Sequence, residues 1–404
     1  MKAAFPRTFY VANAIELFER LAFYGMYVGL SLYLSKVVGI GDKETGSLLG
    51  NFRFVGALAP IPCGAIADRI SFKSSLIIAF TLFALGYGGL YLYPRPETAT
   101  IALMMIAVGG GFMKPVITGT VVRTSPAGRQ DEGFAIFYRM VNAGSVTGKT
   151  LAYGVRILVS IRHVLITSVI GSLVALGLAA AAYKEPERGK ATPEAFGKLL
   201  AGYGTALKNA RFAVALVVFA GFYFMAEQFY MTFPKYVTRV VDKNAPLELI
   251  TLINPALIAL FQGVVLKATR RLHPVSGMIL GMLLGAVSML VMGVVPGMVG
   301  ACISGAIFAF CEMCFSPRFY DYLASFAPSG KAGMYMGLAF VPFAIGAWVG
   351  GQASGRLIAA YLPEVGERHP TLVWSLYAGL GLAFALAMVV YRHFAVTRQR
   401  AVAT

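Results

Sequence analysis

Charge is scarce in this chain. Of 404 residues, 13% are charged and 58% hydrophobic, whereas an ordinary soluble domain carries about 25% charged residues. That shortage excludes a soluble fold and predicts a polytopic membrane protein. Acids are the rarer kind, 18 Asp and Glu against 35 Lys and Arg, for a formal net charge of +17. In a membrane protein such an excess marks cytoplasmic loops, so no nucleic-acid partner is expected. Only four cysteines occur, Cys63, Cys302, Cys311 and Cys314, all in apolar segments, and no disulfide framework follows. Cys311 and Cys314 have the spacing of a metal or redox pair, but their Phe and Met neighbours predict a buried helix turn. The four histidines, His163, His273, His369 and His393, fall near span ends or in loops. No His-Glu-x-x-His motif appears, so neither an enzyme nor a bound cofactor is expected. The first apolar run is too long and too charged for a signal-peptide core, so the first helix is expected to be retained.

Long apolar runs dominate the rest. Stretches of about 20 residues suffice to cross a bilayer, and twelve are predicted, near 9–37, 45–68, 74–94, 99–123, 131–156, 163–183, 211–238, 247–268, 274–295, 297–326, 332–361 and 370–391. One long polar connection, from Lys184 to about Lys208, leaves six spans on each side and could include a short amphipathic helix on the membrane surface. The expected organisation is an N-terminal bundle over 1–183, a cytoplasmic linker over 184–210 and a C-terminal bundle over 211–404. Lys and Arg are about twice as frequent in the loops that would share a side with the N-terminus. The positive-inside rule therefore puts both termini and the linker in the cytoplasm.

The halves are related. A shift of 202 residues places Pro115 on Pro317, Pro126 on Pro328 and Gly128 on Gly330. It also places Arg129 on Lys331, Gly144 on Gly346 and Gly148 on Gly350. Duplicated halves of six spans are the pattern of a major facilitator transporter, which binds substrate near the bilayer midplane.

Ionisable residues inside such spans cost roughly 2.5–3.5 kcal/mol each by insertion scales and are functional by default. The first span carries Glu16, Glu19 and Arg20 within little more than a turn, followed by Tyr24 and Gly25. A helix end with snorkelling charges is the alternative, but apolar sequence continues well beyond them. In the fourth span Lys114 precedes Pro115, and its expected partners are Glu16 or Glu19. The fifth span has Phe137, Tyr138, Asn142 and Gly144, with Arg139 and Lys149 of undecided facing; Arg53 in the second span is equally ambiguous. The seventh has Glu227 and Gln228, the eighth Asn254-Pro255, and the tenth Glu312, Ser316 and Pro317. Arg318 and Asp321, three apart, are expected to pair. Asp68 and Arg69, after the second span, form a candidate conformational latch. That stretch resembles the Asp-Arg loop of the major facilitator superfamily, without the glycine usual at Phe72. A zwitterion could lie with its carboxylate toward the cations of the first half and its amine toward Glu227 and Glu312. Buried carboxylates have raised pKa values, so Glu16, Glu19, Glu227 or Glu312 could carry a coupling proton.

Together these residues resemble the proton-dependent oligopeptide transporter family of the major facilitator superfamily. Its first-span pattern, Glu-x-x-Glu-Arg-Phe-x-Tyr-Tyr-Gly, is met by Glu16, Glu19, Arg20, Tyr24 and Gly25, with departures at Leu21 and Phe23. Lys114-Pro115, Phe137-Tyr138 with Asn142, Glu227-Gln228 and Glu312 with Ser316 are similar to its later signatures. The resemblance implies an all-α fold of twelve transmembrane helices in two pseudo-symmetric six-helix bundles. It implies proton coupling through Glu16, Glu19, Arg20, Lys114 and Glu227, a gating part for Glu227, and contact of Glu312 with a peptide amine. Tyr24, Tyr27, Lys114, Asn142, Asn254, Glu312 and Ser316 would line the substrate site. Departures are Tyr27, where the family has a carboxylate-binding arginine, Ala339, where it has an aromatic, and a linker too short for two extra helices. The expected function is proton-coupled symport of di- or tripeptides or a similar small zwitterion, by a monomer in a bacterial plasma membrane, with protons as coupling ion. A transporter or exporter of a drug or lysolipid is the alternative.

Overall fold

The structure is a computed structural model that describes residues 4–186, 196–328 and 332–397. Several predicted features, among them Gly330, Lys331 and part of the polar connection, lie outside the described residues. The described residues are helical, with no strand among them. Among the described residues ten helices are long and apolar enough to cross a membrane: α2 (Asp42–Ala67), α3 (Phe72–Leu92), α4 (Pro96–Thr124), α6 (Val164–Ala182), α7 (Ala210–Val241), α8 (Leu247–Ala268), α9 (Pro274–Val294), α10 (Gly297–Ala324), α11 (Met334–Tyr361) and α12 (Pro370–Ala395). Two further helices are as long but interrupted by ionisable residues, α1 (Arg7–Lys36) and α5 (Gln130–Leu158). They complete the predicted twelve, and α1 is the helix that carries the Glu-x-x-Glu-Arg motif. The helix Phe196–Leu207 lies in the connection between the two sets of six.

Two compact units form: residues 1–40 with 55–196, and residues 41–54 with 197–404. Helix pairing repeats in each. In the first unit α1 packs on α5 and α6, α3 on α4 and α6, and the Pro60–Ala67 part of α2 on α4. In the second α7 packs on α11 and α12, α9 on α10 and α12, and α8 on α10. Each of these pairs has its counterpart six helices on, as the duplication read from the prolines and glycines requires.

Glycine explains why two of these pairs are so close. A Cβ on Gly144 would come within 2.5 Å of the Leu17 carbonyl oxygen, and one on Gly148 within 2.4 Å of Leu21 O. In the second unit a Cβ on Gly346 would meet Ala220 O at 2.4 Å. Small residues let membrane helices approach until backbones touch. The close crossing of α5 on α1 fixes the rotation of α1, and so the direction in which Glu16, Glu19 and Arg20 point. Residues 41–54 use the same device: a Cβ on Gly46 would fall 2.4 Å from Gly351 O and 2.5 Å from Gly355 N. Trp348 Nε1 donates to Asn51 at 3.1 Å and Gln352 to Ser47 Oγ at 2.9 Å. The first half of α2 is thereby joined to α11.

Overpacking of this kind costs about 1–3 kcal/mol. Gly144→Ala and Gly346→Ala should each lower the melting temperature of the detergent-solubilised protein. Gly154→Ala, on the same helix as Gly144 but with open space around its Cβ, should not. Equal effects at all three positions would remove the close-approach explanation.

Candidate functional site

In the first unit the site grows from α1. Glu16, Glu19 and Arg20 are all buried. Arg20 Nε lies 3.2 Å from Glu16 Oε1 and also donates to Glu19 Oε2. One guanidinium thus holds both carboxylates, as the five-donor fork of arginine allows. Its flat face rests near two rings of the same helix, with Cζ 5.5 Å from the Phe23 centroid and 5.9 Å from that of Tyr24. Lys114, half-buried beside Pro115 in α4, is close enough to attract Glu16 electrostatically. Lys149 of α5 is buried, its Nζ 5.5 Å from the Tyr24 ring. The undecided facing of Lys149 is thus settled toward α1, whereas Arg139 is exposed. Two carboxylates therefore sit among three cations. Tyr87, unremarked in the sequence, also acts electrostatically on Glu19 and Arg20 from α3, and its buried hydroxyl has no hydrogen-bond partner among the described residues. Tyr27 is buried against Phe23 with ring centroids 5.2 Å apart, and Asn142 is exposed.

In the second unit the carboxylates are held differently. Glu227 of α7 is buried and takes a forked contact from Arg53 of α2, with Nη2 at 2.7 Å and Nε at 3.2 Å from both oxygens. Arg53 Cζ lies 4.5 Å from the Phe343 centroid. A second carboxylate of α2, Asp42, joins Lys235 at 2.6 Å and Arg239 at 2.9 Å, both on α7. Sequence reading left Arg53 undecided and overlooked Asp42, because a helix pattern does not say which neighbour a polar face meets. Glu312 of α10 accepts from Asn254 Nδ2 at 3.2 Å, so two predicted binding residues from different helices do meet. Tyr223 and Tyr320 stand close enough to interact, and Glu312 acts on Tyr223. Ser316 is half-buried one turn after Glu312. Gln228 bonds to the backbone of its own helix and to Thr232, which in turn meets Ser354 and Tyr377.

One expected pairing is replaced. Arg318 does not reach Asp321; it donates to Cys314 O and to Thr269 O, each at 3.0 Å, and to Thr269 Oγ1. The side chain turns inward to the carbonyl and hydroxyl of Thr269, just past the end of α8, and Asp321 stays exposed. Of the two candidate latch residues, Asp68 faces Arg123 at 4.0 Å and Arg69 is exposed. Arg123 also lies over Phe72, Cζ to centroid 4.3 Å, where the missing glycine would have left nothing to cover. Glu185 caps α3 by accepting from Phe72 N at 2.9 Å and Lys73 N at 3.0 Å. Cys314 apart, these partners come from 49 and more residues away, beyond the reach of a local motif.

The family model of the Major Facilitator Superfamily matches residues 14–351. Dipeptide and tripeptide permease B of Shigella dysenteriae serotype 1 is 31% identical over 153 residues, which is 36% of this chain and 31% of that protein. The matched part is thus less than a third of the permease's own length. Multidrug resistance protein MdtH of Photorhabdus laumondii is 22% identical over 371 residues, 91% of this chain and 90% of that protein. A POT family transporter solved in complex with 5-aminolevulinic acid superposes with TM-score 0.79 at 18% identity, covering 96% of both chains. Another, in complex with a thioalcohol-conjugated peptide, gives 0.81 at 20% identity and 96% of both. The fold is therefore shared with POT transporters.

Removing one partner of a buried ion pair costs about 3–5 kcal/mol because the other is stranded. Arg53→Gln and Glu227→Gln should each lower thermal stability, and the double variant should lose much less than their sum. Additive losses in detergent melting curves would mean that the two side chains act independently.

Proposed function

Because the chain belongs to the Major Facilitator Superfamily, whose members are membrane transporters and not enzymes, we propose that it is a proton-coupled symporter of di- or tripeptides or a similar small zwitterion. The observation that carries this reading is the buried Glu16–Glu19–Arg20 cluster with Lys114 beside Glu16. Two carboxylates on one guanidinium form a site where adding a single proton changes every other partnership. With both ionised, Arg20 and Lys114 are engaged. Protonation of Glu16 removes its attraction for Lys114, which then offers its charge to a substrate carboxylate. Substrate binding and proton binding favour each other through that shared lysine, and this reciprocity is the coupling of two sites by one free energy.

The other roles follow from chemistry. Glu312, oriented by Asn254, is the counter-charge for a substrate amine, with Ser316 and the Tyr223 and Tyr320 hydroxyls nearby as neutral contacts. Glu227 is a second titratable switch, since its proton would release Arg53 and loosen α2 from α7. Asp68 with Arg123, half exposed and 4.0 Å apart, is a weak pair of the kind worth about 0–1 kcal/mol, suited to breaking in each cycle. Protons are the only coupling partner required. The working form is a monomer in a bacterial plasma membrane with cytoplasmic termini.

A second reading is transport of a drug-like amphiphile. The MdtH match favours it, because it spans 90% of that protein, as does Tyr27 in place of a carboxylate-binding arginine.

Uptake into proteoliposomes with an imposed inward proton gradient separates the two. A dipeptide mixture should accumulate with the gradient and not without it, and Lys114→Ala should abolish accumulation. Folded protein that accumulates no peptide would exclude the first reading and leave the second. Independently, Glu312→Gln should weaken binding of zwitterionic peptides while sparing an N-acetylated analogue. Equal binding of both by the variant and the parent would remove the amine contact.

A further inference from the structure

One concavity lies away from all these charges. It runs between the start of α7 and the end of α12, has a volume of about 630 Å³ and is walled by Val214, Val218, Leu386 and Val390. Much of this wall is exposed: Val214 and Val390 are each 48% exposed and Leu386 is 64% exposed. In a membrane-spanning protein that surface meets acyl chains. The apolar part extends from Arg211 to Val218, seven residues, or about 10 Å at 1.5 Å per residue.

One end is different. Arg211 lines the groove at the first turn of α7. Its Nη2 donates to Ala395 O, while its Nε is shielded from water and has no hydrogen-bond partner among the described residues. No carboxylate pairs with Arg211 among those residues. The sequence of α12 contains no acidic residue, and the first in α7 is Glu227, four turns beyond Arg211. Lys208 and Arg392 are exposed at the adjoining helix ends. The N-terminus of α7 adds its own positive end. A buried donor without a partner is costly, and a positive mouth on an apolar groove asks for an anion with a hydrocarbon tail.

We propose that this groove is a binding site for an anionic phospholipid of the surrounding bilayer, its phosphate on Arg211 and one acyl chain along α7 and α12. The acyl chain leaves one hydrocarbon environment for another, so it supplies shape rather than affinity. Selection rests on the headgroup charge, as in basic pockets at membrane-helix ends. The site is independent of the transported substrate and of the α1 cluster.

Native mass spectrometry of the full chain in detergent, titrated with dioleoylphosphatidylglycerol or dioleoylphosphatidylcholine, tests it. The anionic lipid should bind about fivefold tighter than the zwitterionic one. Arg211→Gln should erase that preference, Arg211→Lys should keep most of it, and Ala387→Phe, which fills the groove, should lower occupancy by both lipids. Should Arg211→Gln fail to fold, the lysine and phenylalanine variants still decide. Equal binding of the two lipids by the parent overturns the proposal. So does a preference that survives Arg211→Gln, occupancy unchanged by Ala387→Phe, or a dimer whose formation excludes lipid, which would assign the groove to a second copy.

Discussion

Everything in the first unit depends on Arg20 being able to hold two carboxylates at once. A lone ion in a low-dielectric interior is strongly disfavoured, and only close opposite charge with good hydrogen-bond geometry offsets that. The guanidinium reaches back one turn to Glu16 and sideways to Glu19, so the motif is nearly self-sufficient on one helix. What it cannot supply is the extra positive charge. Lys114 and Lys149 come from α4 and α5, and Lys149 reaches α1 because the glycines of α5 let its backbone touch that of α1. The electrostatics of the site are therefore built on a packing device. A methyl group at Gly144 would alter the charge arrangement without changing any charge.

The second unit solves the same problem with partners far apart in sequence. Glu227 has no arginine on its own helix within reach and receives Arg53 from α2. Asp42, eleven residues earlier on that helix, is held by two cations of α7. Between these polar fastenings, Gly46 and Gly50 lie against the α11 backbone. Ion pairs at both ends and bare backbone in the middle make the attachment stiff yet breakable by neutralising two carboxylates.

Much of the fold was legible in the sequence because membrane helices announce themselves by length and hydropathy, and because the duplication left its prolines and glycines in register. The pairing pattern of the helices in each unit repeats as that duplication requires. The α1 cluster was legible for a local reason: its members are three and four residues apart, so helix geometry alone brings them together. Residues whose meaning depends on another helix were not. Arg53 and Lys149 are ambiguous in the sequence, Arg318 is drawn to the nearest acid, and nothing near Asp68 points to Arg123. In each case the actual partner lies 49 or more residues away or on an unforeseen face.

Tyr27 and Arg53 illustrate what such displacement does to function. The resemblance leads one to expect an arginine at the position of Tyr27, available to a substrate carboxylate. Tyr27 instead stacks on Phe23 and is buried, while Arg53 is committed to Glu227 with a forked bond and a ring beneath it. Neither supplies a free cation. On the proposed function, the charge that meets a carboxylate must then come from the group that protonation releases, which is Lys114. On that reading carboxylate recognition and proton coupling fall on one side chain. A substrate without a carboxylate would leave that lysine with nothing to gain from the proton, so for this chain the identity of the substrate and the existence of coupling are a single question.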